Sequence, residues 1–404
     1  MIAHLRVFVI KYQNQIVFLL IMLFALLFRI LHLDSVPSGL STSETEVLRQ
    51  VNKLMNNGFL PFPDQYFDLL YLYLIAIVSK VTLFNILAIK IVQVCISLAT
   101  VGLFYFFVKM WLNRKIALLA VLFFSVDFLH IILTRTINPD IFIPLMLIAL
   151  LLSTTISLRE NKVYWFVLTG FLAGLSFYVN QAFLLIPLVL VLSFVFFFNK
   201  NKFILSAYWK NYLAFILALL IAALPFLYLL PKNITTIIDY FNPGSVGNYL
   251  MNFGNIWSSL IYQSNYIGSI NVGLEPILSP FLAITFVCGL IYTIFHLERR
   301  KYFFLTMLLI VSTFIMALIR LQNLSIFILI IPITLILASV ILDYLLTAWF
   351  KTFPFNKNAR FVLTVLLSIF IFLTVFYSYE KIFYAWDGNS FVQNQFTNTF
   401  DYKK

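Results

Sequence analysis

The sequence predicts an all-α polytopic membrane protein of about eleven transmembrane helices, with interfacial helices in its first outer loop. Three observations carry that prediction. Of the 404 residues, 62% are hydrophobic and only 10% are charged, where a soluble domain holds about 25% charged residues; so little polar surface cannot cover a water-soluble particle of this mass. Apolar windows of about 20 residues, the length that crosses a bilayer core, recur along the whole chain. The basic residues, which give a formal net charge of +12, gather in alternate loops between those windows.

The first window, residues 14–33, follows Arg6 and Lys11 as the core of a signal sequence would. No small-residue cleavage site comes after it, so it reads as an uncleaved first span. The remaining windows lie near 85–108, 116–133, 140–158, 163–180, 182–198, 211–230, 276–297, 302–319, 324–346 and 361–378. The run from Asp68 to Phe84 is apolar and rich in tyrosine but is interrupted by Ser79 and Lys80. Counting it as a span would flip every later loop, and the positive-inside rule therefore places it in the interface. The N-terminus and the loops carrying Lys109/Arg114/Lys115, Arg159/Lys162, Lys200/Lys202/Lys210, Arg299/Arg300/Lys301 and Lys351/Lys357/Arg360 then share the cytoplasmic face. They hold sixteen of the 27 basic residues and three of the 15 acids, Glu160, Glu298 and Asp343. The rest of the chain is almost neutral, so the excess charge is a topology signal and no nucleic-acid partner is needed to explain it. The chain reads as one plasma-membrane domain over residues 1–378, with the N-terminus in the cytoplasm and a short extracytoplasmic tail over 379–404.

Two long segments fall outside on this topology, residues 34–84 and 231–275. Within the first, Val47, Val51, Leu54 and Met55 recur at helical spacing after Ser43, a good cap residue, which predicts an amphipathic surface helix over Ser43 to Asn56. Asp68 to Phe84 would be a second. In the other segment, Asn242-Pro243-Gly244 is a turn signal. Cys95 and Cys288 lie in apolar runs without metal-ligand spacing, which argues against a disulfide framework or a zinc site.

The outer face presents acids beside span ends: Glu44 and Glu46 after the first span, and Asp140 at the start of the fourth. A carboxylate in a helix's first turn is favoured by the backbone dipoles, so Asp140 also has a purely structural reading; Glu44 and Glu46 also suit the solvated face of a surface helix. Arg29, Lys80, Arg135 and Arg320 lie near the same boundary. Such cations snorkel to the interface, or they bind a phosphate, which guanidinium grips in a bidentate fork. Lys90 and Asp127 lie deeper and suggest a charged pair across helices. Neither a Walker sequence nor a G-x-G-x-x-G turn is present, the four histidines form no i, i+4 ligand pair, and no serine elbow appears. Any chemistry would use an activated donor reached from the membrane, and a phosphate-linked lipid suits a face that lacks nucleotides.

The order of Arg29, Pro37-x-Gly39-Leu40-x-x-Ser43-Glu44, two spans, then Thr134-Arg135 and Asp140 resembles the GT-C superfamily of membrane glycosyltransferases. It is most similar to the branch of protein O-mannosyltransferases and the lipid A aminoarabinose transferase. Gly170 to Tyr178 (GFLAGLSFY), Asn271 to Pro280 (NVGLEPILSP) and Arg320 to Leu337 (RLQNLSIFILIIPITLIL) extend the resemblance over residues 10–345. The resemblance implies transfer of a sugar from a polyprenyl-phosphate donor to a protein or lipid hydroxyl on the extracytoplasmic face, with inversion if it occurs in one step. It implies Glu44 as general base, with Glu46 beside it. Asp140 would orient the acceptor or hold a divalent cation. Arg135 and Arg320 would neutralise the departing phosphate, with Arg29, Lys80, Tyr178 and Gln181 as further substrate contacts. The family's acidic pair is Asp-Glu where this chain has Ser43-Glu44, so an essential carboxylate is missing from its usual place. Two other classes share the broad pattern. A lipid-linked oligosaccharide polymerase or ligase would carry a large late outer loop, and a transporter would show paired halves and deep ionisable residues.

Overall fold

The computed structural model describes residues 2–58, 67–180, 209–264, 270–319 and 324–400, and it is helical throughout. Among the described residues, seven helices are long and apolar enough to cross a membrane: Tyr12–Ile30, Ile86–Trp111, Pro139–Glu160, Trp209–Tyr228, Arg300–Leu318, Ile331–Thr352 and Lys357–Trp386. Arg114–Ser125 and Phe128–Arg135 pass the same test only together, as a pair bent by 50° that makes an eighth crossing if it is one broken span rather than a re-entrant loop. The expected count of eleven is therefore not reached among the described residues. The window at 182–198 lies outside them. Those at 163–180 and 276–297 form helices of 13 and 15 residues, Val163–Leu175 and Pro280–Ile294, or only about 20–23 Å at 1.5 Å per residue. Apolar length overstated both, because Ser176–Tyr178 tightens into a 3-10 turn and Ser279 caps the second helix only at Pro280.

We number the helices α1 (Ile2–Ile30), α2 (Thr42–Asn56), α3 (Leu69–Thr82), α4 (Ile86–Trp111), α5 (Arg114–Ser125), α6 (Phe128–Arg135), α7 (Phe142–Glu160), α8 (Val163–Leu175), α9 (Trp209–Tyr240), α10 (Val246–Ile261), α11 (Pro280–Ile294), α12 (Arg300–Leu318), α13 (Ile331–Thr352), α14 (Lys357–Glu380) and α15 (Ser390–Gln395). The two short helices of the first loop form close to where the sequence places them. In α2 the cap is Ser41 rather than Ser43, and Leu48, Val51 and Leu54 make the buried stripe. Much of the segment from Pro231 to Glu275 is helical: α9 runs on to Tyr240 and α10 follows the turn at Asn242-Pro243-Gly244.

Packing depends on small residues where helices approach closely. A Cβ at Gly170 would lie 2.2 Å from the Phe215 carbonyl oxygen, and one at Gly174 2.5 Å from the Ala222 Cβ, so this Gly-x-x-x-Gly face lets α8 seat directly on α9. Most of α13 is buried at the centre, whereas α14 presents Phe361, Leu366, Phe372 and Phe376 outward, as a helix in contact with lipid tails does. The C-terminal segment is built into the molecule. After α14, a π turn at Lys381–Trp386 and α15 fold back so that Trp386, Val392 and Phe396 pack with Phe28 and Val36. Leu40 and Asn398 exchange two backbone hydrogen bonds, 3.0 and 3.1 Å, in an isolated antiparallel bridge. Gly39 is required beside it, since a Cβ there would meet the Phe396 carbonyl oxygen at 2.1 Å.

Candidate active site

The charged residues of the expected outer face divide into two groups. The first holds backbone. Glu44, 2% exposed, completes a capping box: its Oε2 accepts from the Ser41 amide at 2.6 Å and the Ser41 hydroxyl accepts from the Glu44 amide at 3.2 Å. Its Oε1 accepts from the Ile137 amide at 2.7 Å. Both oxygens thus brace the first loop against the second, at the residue expected to act as base. Burial raises its pKa above the usual carboxylate range, opposed by the amides of Ser41 and Ile137 and by the charge of Lys90. Lys90 reaches the carbonyls of Leu33 and Pro37 at 3.4 and 3.5 Å. Asp127 instead caps α6 by accepting from the His130 amide at 2.9 Å, so the expected Lys90–Asp127 pair does not form.

Arg29 and Arg135 are wholly buried and donate to groups of the protein itself. Arg29 donates to the Ser97 hydroxyl at 2.6 Å, to the Ala25 and Ser125 carbonyls at 2.9 Å, and to His130 Nδ1 at 3.0 Å. Ser125 ends α5, so Arg29 satisfies a carbonyl freed by the break in the bent span. Arg135 donates to the carbonyls of Phe28, Leu31, His32 and Val36 at and beyond the end of α1, while Phe383 covers its guanidinium at 4.7 Å. A cation at a helix C-terminus is a favourable cap. Tyr178 is likewise structural. Its hydroxyl accepts from the Phe226 amide at 2.9 Å and donates to the Ala222 carbonyl at 3.1 Å, relaying one ladder bond of α9 beside Pro225. Glu46 forms a surface ion pair with Arg49 at 2.8 Å, and Lys80 is exposed on the last turn of α3. Gln181 and Arg320 lie outside the described residues.

The second group surrounds Asp140. Asn138 caps the turn Pro139–Ile141 by accepting from the Asp140 amide at 2.9 Å. Its Oδ1 accepts from Asn180 Nδ2 at 2.7 Å, and the Ser325 side chain also hydrogen-bonds to it. Asp68, one residue before α3, belongs to the same place. Phe67 packs edge-on to Phe226 at 6.2 Å, and Tyr178 meets that ring from another side at 6.3 Å, two residues before Asn180. One turn into α3, Tyr71 meets Phe142 at 6.0 Å, two residues after Asp140. Gln93 fixes that register by donating to the Tyr71 hydroxyl at 2.9 Å and the Thr136 carbonyl at 2.7 Å. Asp68 is partly buried with φ +61°, its side chain does not cap α3, and its Oδ1 is shut from solvent without a partner. Burial raises its pKa well above the usual range, and the charge of Asp140 raises it further. Tyr240 lies in the field of both carboxylates. Sequence reasoning missed Asp68, Asn180, Ser325 and Tyr240. An acid opening an apolar helix was the available signal for Asp68, the same signal that marks Asp140. Among the described residues no group of three or more His, Cys, Asp and Glu stands ready for a metal ion.

This architecture is shared with solved membrane enzymes. ArnT from Cupriavidus metallidurans, solved with undecaprenyl phosphate, superposes with a TM-score of 0.58 at 12% identity over 93% of this chain and 77% of that one. The chain has the GT-C fold. The oligosaccharyltransferase of Archaeoglobus fulgidus, tethered to an acceptor peptide, gives 0.54 at 11% identity over 95% of this chain. The GT-C chain here spans only 55% of that protein's length. The family model for dolichyl-phosphate-mannose-protein mannosyltransferases matches residues 68–228. The GT-C resemblance and the mannosyltransferase-like branch are thereby borne out, and the matched segment opens at Asp68 and contains Asp140. No curated protein matches the chain in sequence.

Proposed function

We propose that this GT-C protein transfers a sugar from a polyprenyl-phosphate donor to a hydroxyl of a protein or lipid acceptor, on the extracytoplasmic face of the plasma membrane. The observation that carries the proposal is the Asp140 carboxylate, held by Asn180 and Ser325 inside the segment that matches the mannosyltransferase family. In the reaction the acceptor oxygen bonds to the anomeric carbon as the bond from that carbon to the phosphate oxygen breaks. The acceptor proton passes to a carboxylate and the electron pair leaves with the phosphate, which departs unprotonated. One base therefore suffices, and a single displacement inverts the anomeric centre. Asp140 orients the acceptor. Arg320, five residues before Ser325 in sequence, is the cation assigned to the leaving phosphate, replacing Arg135 in that role.

The topology rests on the basic bias of one set of loops. With Cys95 and Cys288 replaced, a Leu112→Cys variant is expected to react only with thiol reagents applied from the cytoplasm; labelling from outside would invert the topology. For the activity, purified protein is supplied with undecaprenyl-phosphate hexoses and membrane acceptor, and release of undecaprenyl phosphate is followed. Asp140→Asn is expected to lower that release by about 100-fold or more with its melting temperature retained, and undiminished release would remove Asp140 from the reaction.

A further inference from the structure

We propose that Asp68 is the general base of this site, standing in for the carboxylate that is absent at Ser43, with Asp140 as its charged positioning partner. This rests on the glycosyl-transfer reading above. The three acids differ in what their oxygens have left to do. Each oxygen of Glu44, beside Ser43, already accepts from a backbone amide, and that pair of bonds fixes the carboxylate between the two loops. Asp140 is tied by Asn180 and Ser325. Of these three, Asp68 is the one that keeps a buried oxygen, Oδ1, with no hydrogen-bond partner among the described residues. A buried acceptor left open is costly unless something fills it, and an acceptor hydroxyl is a group that would donate to it. The backbone supports this reading. Asp68 sits at φ +61° and gives its own helix no side-chain cap, although a carboxylate at that position usually provides one. Backbone in this sparsely populated region is held by its surroundings. Here the holders are Phe67 against Phe226 and Tyr71 against Phe142, with Gln93 on the Tyr71 hydroxyl.

Among the described residues, the titratable groups acting on or acted on by Asp68 are Asp140, Tyr71 and Tyr240, none of them cationic. A like charge and a shielded setting together raise proton affinity, which brings a carboxyl group nearer to the operating pH, where a general base is most effective. In the step itself, the proton of the acceptor hydroxyl moves to Asp68 Oδ1 as the oxygen–carbon bond forms, and the sugar–phosphate bond electrons leave with the polyprenyl phosphate. Water or product then carries the proton away to reset the carboxylate.

Asp68→Asn is the sharp test, because Asn is isosteric and tolerates φ > 0. It should remove at least 100-fold of the polyprenyl phosphate release and leave the melting temperature near that of the wild type. Asp68→Glu should restore part of the rate, and Asp140→Asn should shift the acid limb of the wild-type pH–rate profile to lower pH. Undiminished release by Asp68→Asn in a preparation where the wild type is active would overturn the assignment while leaving the glycosyl-transfer reading in place. An infrared titration of the purified protein needs no donor. It should show a protonated carboxyl band that persists above the ordinary aspartate range, vanishes in Asp68→Asn and titrates lower in Asp140→Asn. Absence of that band also overturns the assignment, whatever the enzyme's donor.

Discussion

The brace made by Glu44, Arg29, Arg135 and Tyr178 and the acid pair of Asp68 and Asp140 contain similar residue types, yet they differ in what their hydrogen bonds leave over. In the brace, each oxygen of Glu44 meets a backbone amide, Arg135 meets four carbonyls with its Nε left unmatched, and Tyr178 relays a helix bond. In the acid pair, an oxygen of Asp68 is buried with no partner among the described residues. The difference teaches that a buried carboxylate whose oxygens already meet backbone amides acts as a joint, and breaking it exposes groups that hydrocarbon cannot satisfy. A buried carboxylate oxygen left over is open to a donor from outside the chain.

The comparison can be broken at several points, and the largest effect is expected at Arg135. Arg135→Leu strands four carbonyls around the end of α1 and should destabilise the protein by about 3–5 kcal/mol, seen as loss of folded protein in detergent or a sharply lowered unfolding midpoint. Recovery of full stability in that variant would show that the carbonyls find other partners. Glu44→Gln comes next. The amide can accept only one of the two backbone N–H groups and turns an NH₂ toward the other, which should cost about 1–3 kcal/mol. The pH dependence follows from the same geometry. Burial lifts the folded-state pKa of Glu44 above its ordinary value of 4.5, so the folded protein binds the extra proton. That contribution to stability is fully present below about 4.5 and is lost as pH rises through the raised value; Glu44→Gln should flatten this part of the stability–pH curve.

Smaller effects probe the edges. Tyr178→Phe removes both bonds of the hydroxyl relay and should cost about 1–2 kcal/mol in unfolding free energy, without changing the donor concentration at half-maximal rate. A changed donor dependence would return Tyr178 to the substrate. At Glu46, whose partner Arg49 is exposed, Glu46→Gln should alter stability by less than about 1 kcal/mol and leave transfer unaltered.

Much of this molecule is legible from hydropathy. The apolar windows place the long spans, and the stripe of Val51 and Leu54 finds α2. What hydropathy could not give was the continuity of backbone within a window. Asp127 reads as one half of a deep charged pair with Lys90, yet it caps α6 and marks the break after Ser125. The 163–180 window is apolar to its end, yet its helix stops at Leu175. The site was legible only by residue type. Glu44 and Asp140 look alike along the chain, and the partner that settles Glu44 is Ile137, 93 positions away. Asp68 reads as the edge of an apolar run because the rings that carry it toward Asp140, Phe226 and Phe142, are remote in sequence. Similarly, the segment from residue 379 reads only as a short tail, yet Trp386, Phe396 and Asn398 pack against α1 and the first loop.

The contrast between brace and acid pair is tested most directly by measuring the initial rate of polyprenyl phosphate release per folded molecule in Asp140→Asn and Glu44→Gln, with unfolding midpoints taken on the same samples. The account predicts that Asp140→Asn keeps its midpoint and loses the rate, while Glu44→Gln loses midpoint and keeps the rate of each folded molecule. The opposite pattern, with Glu44→Gln folded but inactive and Asp140→Asn active, would contradict it and restore Glu44 as the base.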